Sequence, residues 1–250
     1  MLLLPFLAGA LTQGDWDRTV AVRLLAVLLA FVLREPLTVL ARQRWVWRVR
    51  RAETKVAVRA ISWQTPALVL CGAYLWMRLP HWPLAILGAG GALWTSIAIR
   101  MTILNRIRSL ALQLVSTFVL ASTGLLAALS ESASLPSWSW PLWALMGVHG
   151  SIGVITVHAR LERRLRSARG TGGISAAARI GAALLLLTAL IAWQFDFGAY
   201  APPLAFSAFV AVIELVRLKR VPDEAFTRVG IRMMLLSLVH MALVVNALRP

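Results

Sequence analysis

Long apolar runs alternate with short arginine-rich connections along the whole chain. A helix that crosses a bilayer needs about 20 mostly apolar residues. Eight runs meet or approach that length, at 19–41, 60–79, 83–99, 109–130, 140–158, 174–195, 202–217 and 231–248. The third and seventh are short and are expected to extend into their flanks. A ninth run, 1–13, reads MLLLPFLAGALTQ and is too short to span as written. The pattern predicts an all-α fold: a polytopic transmembrane helix bundle with eight full membrane spans plus a short or truncated first helix, nine in total. The bundle is expected to form a single integral membrane domain over 1–250. Ala8-Gly9-Ala10 mimics a signal-peptide cleavage site, but no Lys or Arg precedes the apolar run. The favoured expectation is that the true start lies upstream of Met1.

Composition agrees and adds orientation. The chain is 59% hydrophobic and 14% charged, yet its formal net charge is +16. Such hydrophobicity excludes a disordered or collagen-like chain and a soluble nucleic-acid binder. Twenty of the 26 basic residues fall in or beside four alternate connections. The positive-inside rule makes those connections cytoplasmic and puts the C-terminus outside. The basic residues there meet anionic lipid, so nucleic acid is not needed to explain them. Trp16, Trp76, Trp82, Trp138, Trp140, Trp143, Trp193 and Tyr200 fall at the expected outer boundary. Trp45, Trp47 and Trp63 fall at the inner one, where amphipathic rings prefer the headgroup level.

The first basic connection, 42–59, has helical periodicity. Arg44, Arg48, Arg51, Lys55 and Arg59 recur on one face, and Trp45, Val49, Ala52 and Val56 form a parallel stripe. This predicts an amphipathic helix on the inner leaflet, with Arg44, Arg48, Arg51 and Lys55 touching anionic lipid. An ordinary snorkelling positive-inside loop is the alternative. Gly88, Gly90 and Gly91, and Gly147, Gly150 and Gly153, are expected to be packing faces between helices.

Ionisable groups inside a membrane each need a reason. Arg34, Glu35 and Glu214 sit in the inner halves of their spans. Arg34 and Glu35 are adjacent, about 100° apart on the helix, so each needs a partner elsewhere. Glu214 is the candidate for Arg34, with Arg217 as an alternative. Arg23, near the outer boundary, and Arg179, near the inner one, are expected to snorkel. His149 and His240 fall at equal depth on antiparallel helices and are candidates for a haem pair, or for hydrogen bonds between helices. His158 sits at an inner boundary. Cys71 is a lone cysteine, so it makes no internal disulfide, and no metal site is expected. No Walker-type loop, Gly-x-Ser-x-Gly, His-Glu-x-x-His or Cys-x-x-Cys is present. The sequence specifies no cofactor and leaves enzyme and non-enzyme open.

Three stretches resemble the YwiC-like family of bacterial polytopic proteins, whose function is uncharacterised. They are Leu33-Arg34-Glu35-Pro36-Leu37 with the arginine-rich stretch after it, Asn105-Arg106-Ile107-Arg108-Ser109-Leu110, and Arg228-Val229-Gly230-Ile231-Arg232. The resemblance extends over essentially the whole chain in layout. Members usually begin with an Arg-Glu-His-Gly-Ala type segment, which is missing here; this supports a start upstream of Met1. The layout is also similar to UbiA-type intramembrane prenyltransferases. Their two aspartate-rich motifs are replaced here by Arg34-Glu35-Pro36 with Arg42 and by His158-Ala159-Arg160-Leu161-Glu162, so their metal-diphosphate mechanism does not carry over.

The functional expectation is a cytoplasm-facing polar pocket for a lipid or isoprenoid-like ligand, lined by Arg34, Glu35, His158 and Glu214. A transporter or transporter-like subunit and a haem-binding membrane subunit are the alternatives.

Overall fold

The computed structural model describes residues 3–14, 16–48, 52–105, 109–130, 135–165, 172–194, 198–221 and 224–249, with backbone alone at 162–165 and 172–180. Among the described residues the fold is all-α, with nine α-helices. These are α1 (Leu3–Gln13), α2 (Arg18–Arg42), α3 (Glu53–Arg78), α4 (His81–Ile103), α5 (Leu110–Ala128), α6 (Ser139–Leu165), α7 (Gly172–Gln194), α8 (Ala201–Arg220) and α9 (Phe226–Leu248). Among the described residues, seven helices are long and apolar enough to cross a membrane. The chain is a multi-pass membrane protein, and its outer shell fits that solvent. Leu70 and Met77 on α3, Leu93 on α4 and Leu190 on α7 are strongly exposed, as side chains facing lipid tails are.

The short first helix is the most enclosed element. Phe6, Ala8 and Ala10 have no exposed surface. Leu4 and Ala8 pack into a cluster with Ala121 of α5, Leu142, Leu145 and Met146 of α6, and Val244, Val245 and Leu248 of α9. The small residues that mimic a cleavage site form the contact: a Cβ added at Gly9 would strike the Gly124 carbonyl of α5. With no hydrophobic drive between helices in lipid, such backbone contact is what holds helices together.

The second helix begins at an Asp17 cap, whose carboxylate accepts from the Val20 N–H at 2.8 Å. It runs without interruption through Pro36. The expected snorkelling of Arg23 does not occur. Arg23 is buried and its Nη1 donates to the Ala127 carbonyl at 2.8 Å. The last turn of α5 leaves carbonyls without helical donors, and a guanidinium satisfies one of them.

The stretch 42–59 is divided rather than forming one surface helix. Arg42 ends α2, a π-helical turn covers 43–47, and Arg48 adopts a left-handed φ of 53°. That conformation stops the helix. Lys55 and Arg59 lie on the opening turns of α3, and the Gln43 and Thr54 side chains are hydrogen-bonded across the turn. Arg44, Arg48, Lys55 and Arg59 are exposed; Val49, Arg50 and Arg51 lie outside the described residues.

The two glycine groups part company. Gly147 abuts the Phe118 ring, and a Cβ on Gly150 would come within 3.3 Å of Thr117, so this face of α6 packs on α5 as expected. Around Gly88, Gly90 and Gly91 a Cβ would meet nothing within 4 Å. Among the described residues, nothing packs on this face of α4.

Candidate functional site

Helix termini that carry most of the arginines gather at one end of the bundle, called here the basic end. There α2 and α4 border a groove of about 610 Å³. Leu37, Leu40, Ala41 and Arg44, with Trp45, line one side; Ser96, Ile99, Arg100 and Ile103 line the other. Both sets repeat at i, i+3, i+4, i+7, the spacing of one helix face. The facing stripes are apolar along their length and each carries one arginine. An exposed guanidinium at each wall of an apolar slot suits a ligand with a negative head and a hydrocarbon body.

The four expected pocket residues do not share this groove. Arg34 is half-buried and Glu35 exposed on α2, and neither lines it. His158 Nε2 pairs with the Gln113 side-chain oxygen at 3.0 Å, tying the basic end of α6 to the start of α5. Glu214 is buried elsewhere, and its partner is not Arg34. Its carboxylate takes the Arg232 Nε and Nη2 at 2.6 and 3.0 Å and the Arg160 Nη2 at 3.4 Å.

A second glutamate completes this ionic node. Glu224, in the α8–α9 connection, accepts from Arg232 Nη1 at 2.5 Å and Arg232 Nη2 at 3.1 Å. It also pairs with Arg160 Nη2 and with Arg217 Nη2, each at 3.0 Å. Arg217 thus serves Glu224 and not the Glu214 one turn before it. Arg160 is fully buried and also donates to the Val221 carbonyl at 3.2 Å. The node therefore clamps the α8–α9 connection onto α6. Arg232 hydrogen bonding, opposed by burial and reinforced by Arg217, holds the Glu224 carboxyl at about 2, below its ordinary 4.5. A lowered carboxyl pKa contributes stability that is complete above the ordinary value and is lost as pH falls toward the shifted one. Glu224→Gln is therefore expected to lower the unfolding temperature by a constant amount above about pH 5, with the gap narrowing below it. Thermal unfolding in detergent across that range measures this. A gap independent of pH would show that the Glu224 charge does not stabilise the node.

The two histidines are brought together in the interior. His149 of α6 and His240 of α9 are buried, with ring centroids 4.1 Å apart and planes 6° from parallel. His149 Nδ1 and His240 Nδ1 each lie 3.3 Å from Ser207 Oγ of α8. His149 Nε2 lies 3.2 Å from Ser237 Oγ. The haem expectation does not fit this geometry. Axial histidines aim a nitrogen at the iron from opposite sides of the macrocycle. Rings in face-to-face van der Waals contact leave no gap for it. The interhelical hydrogen-bonding expectation is the one the rings satisfy. Among the described residues no group of three or more His, Cys, Asp or Glu could hold a metal ion. Cys71 is buried and free, beside Leu75 and Leu79. The Arg179 side chain lies outside the described residues.

Sequence reasoning counted Arg160 and Arg232 among the charges of the basic connections and did not single out Glu224, Ser207 or Ser237. No family model, curated protein or solved structure matches the chain.

Proposed function

We propose that this protein holds an anionic amphiphile, a phospholipid or isoprenoid-like molecule, in the α2–α4 groove. In this reading the basic end faces the cytoplasm of a bacterial inner membrane and the C-terminus lies outside. The carrying observation is the groove itself, with apolar walls of Leu37, Leu40, Ile99 and Ile103 and the two arginines Arg44 and Arg100. The charged head meets the guanidinium groups and the chain lies along the walls. Trp45, on the same wall, is amphipathic and suits the headgroup level. We also propose kinship with YwiC-like proteins, on the strength of the three short motifs; the groove reading does not depend on it.

The test is native mass spectrometry of the purified protein offered phosphatidylglycerol or phosphatidylcholine. Each basic residue near an anionic surface is worth about 1 kcal/mol. Arg44→Gln with Arg100→Gln is therefore expected to weaken phosphatidylglycerol retention about 30-fold and to leave phosphatidylcholine unchanged. Equal retention of phosphatidylglycerol by the double variant would remove the groove as the site.

A further inference from the structure

The histidine–serine cluster has a directional order that helix joining alone does not require. Ser237 Oγ donates to the Met233 carbonyl at 2.7 Å. Its one proton is thereby committed, so it accepts from His149 Nε2–H. The neutral His149 ring then has a bare Nδ1, which accepts from the Ser207 hydroxyl. Ser207 in turn accepts from His240 Nδ1–H, and His240 Nε2 is left bare. That nitrogen is buried and has no hydrogen-bond partner among the described residues. Ser237, His149 and Ser207 each donate and accept; the Met233 carbonyl closes one end and the bare His240 Nε2 the other.

We propose that His240, Ser207, His149 and Ser237 form a reversible relay that binds a single proton inside the membrane span. A proton arriving at His240 Nε2 forms an N–H bond there. The His240 Nδ1–H bond breaks as Ser207 Oγ gains that proton, and the Ser207 O–H bond breaks as His149 Nδ1 gains the next. The positive charge has then moved from one ring to the other, while Ser207 has exchanged one proton for another. A second proton is opposed by the first, because the rings stack face to face.

Neighbouring groups isolate the relay. The helices α1 and α5 carry no titratable residue in Leu3–Gln13 or Leu110–Ala128. Tyr200 lies two turns before Ser207. Toward the basic end come His158 and Arg160 on α6, Glu214 and Arg217 on α8, and Arg228 and Arg232 on α9, with Glu224 between the last two helices. Arg179 of α7 has no described side chain. Ile152 of α6, Val210 of α8 and Met233 of α9 stand in register between the relay and the ionic node, and they pack with Val229 nearer the basic end. A proton is therefore held at the rings and not passed to Glu214 while these residues are packed.

The test is nitrogen-15 magic-angle-spinning NMR of the histidine-labelled full chain in lipid nanodiscs, with His149→Gln and His240→Gln used for assignment. At neutral pH His149 is expected to carry its hydrogen on Nε2 and His240 on Nδ1. On acidification both rings are expected to shift with one common midpoint and a combined uptake of one proton. Ser207→Ala is expected to abolish the common midpoint, and Ser207→Thr, which keeps the hydroxyl, to preserve it. Equal tautomers in the two rings, independent midpoints, or two rings that stay neutral at pH 4 in a chain still folded by tryptophan fluorescence would each overturn the proposal.

Discussion

Arg232→Ala is expected to destabilise the folded chain by about 3–5 kcal/mol, the cost of removing one partner from a buried ion pair. The reason lies in how the guanidinium is used. Arg232 presents Nε and Nη2 to Glu214 and Nη1 and Nη2 to Glu224, at 2.5 to 3.1 Å. One planar group therefore holds both carboxylates of the node. Without it, Glu214 and Glu224 face each other across a buried site with Arg160 as their shared cation and Arg217 reaching Glu224 alone. Arg232→Lys keeps the charge but has no fork, so it is expected to recover only part of the loss. Pairing Arg232→Gln with Glu214→Gln is expected to cost less than Arg232→Ala, because no uncompensated charge is left behind. Unfolding in mixed detergent, followed by tryptophan fluorescence, gives the ranking. A loss below about 1 kcal/mol for Arg232→Ala, the worth of an exposed pair, would mean that the node is hydrated in the membrane-embedded protein.

This node also shows what the sequence could and could not disclose. Hydropathy located every helix, because a lipid-immersed segment must be apolar and must satisfy its own backbone. It misjudged helix ends wherever polar turns continue the helix beyond the apolar run. The third helix starts at Glu53, not near 60, since Lys55 and Arg59 lie on its opening turns. The sixth extends to Leu165, and so carries Arg160 as a helix residue facing inward. Read as a loop residue, Arg160 was one arginine among many at the basic end.

The usable signal was on the other side of the pair. The chain has ten carboxylate residues against 26 basic ones. An acid amid so many arginines marks an ion pair more sharply than any one arginine does. Glu214 stood out because it lies inside a span; Glu224, in a connection, could have been found by the scarcity of acids. Its choice of partner was out of reach, because Arg160 and Arg232 are 54 and 18 residues away in sequence. The histidines behave alike: their equal depth was visible, but the stacking depends on how α6 and α9 cross. Ser237 lies three residues before His240, on the same helix face, which is a faint signal for the cluster. Ser207 had none of its own.

Gly124→Leu is expected to be among the most damaging substitutions in the chain, although it replaces one apolar residue by another. A Cβ at this position would lie 2.5 Å from Leu142 Cδ2 and 2.8 Å from the Pro5 carbonyl oxygen. Leu142 can turn away, but Pro5 belongs to the backbone of α1. Relief there requires the whole first helix to move, and that helix is enclosed by α5, α6 and α9. Overpacking that shifts backbone costs about 1–3 kcal/mol or more. Gly9→Leu strikes the same crossing from the other side. Gly88→Leu, where the added side chain starts in open space, is expected to change stability by no more than about 0.5 kcal/mol. Thermal unfolding in detergent separates the three variants. Hydrogen exchange over 3–13 adds the spatial assignment: protection there is expected to fall in Gly124→Leu and Gly9→Leu and to persist in Gly88→Leu. Unchanged protection with unchanged melting in Gly124→Leu would mean that the first helix is not held by this crossing, and that the small residues at 8–10 serve some other purpose.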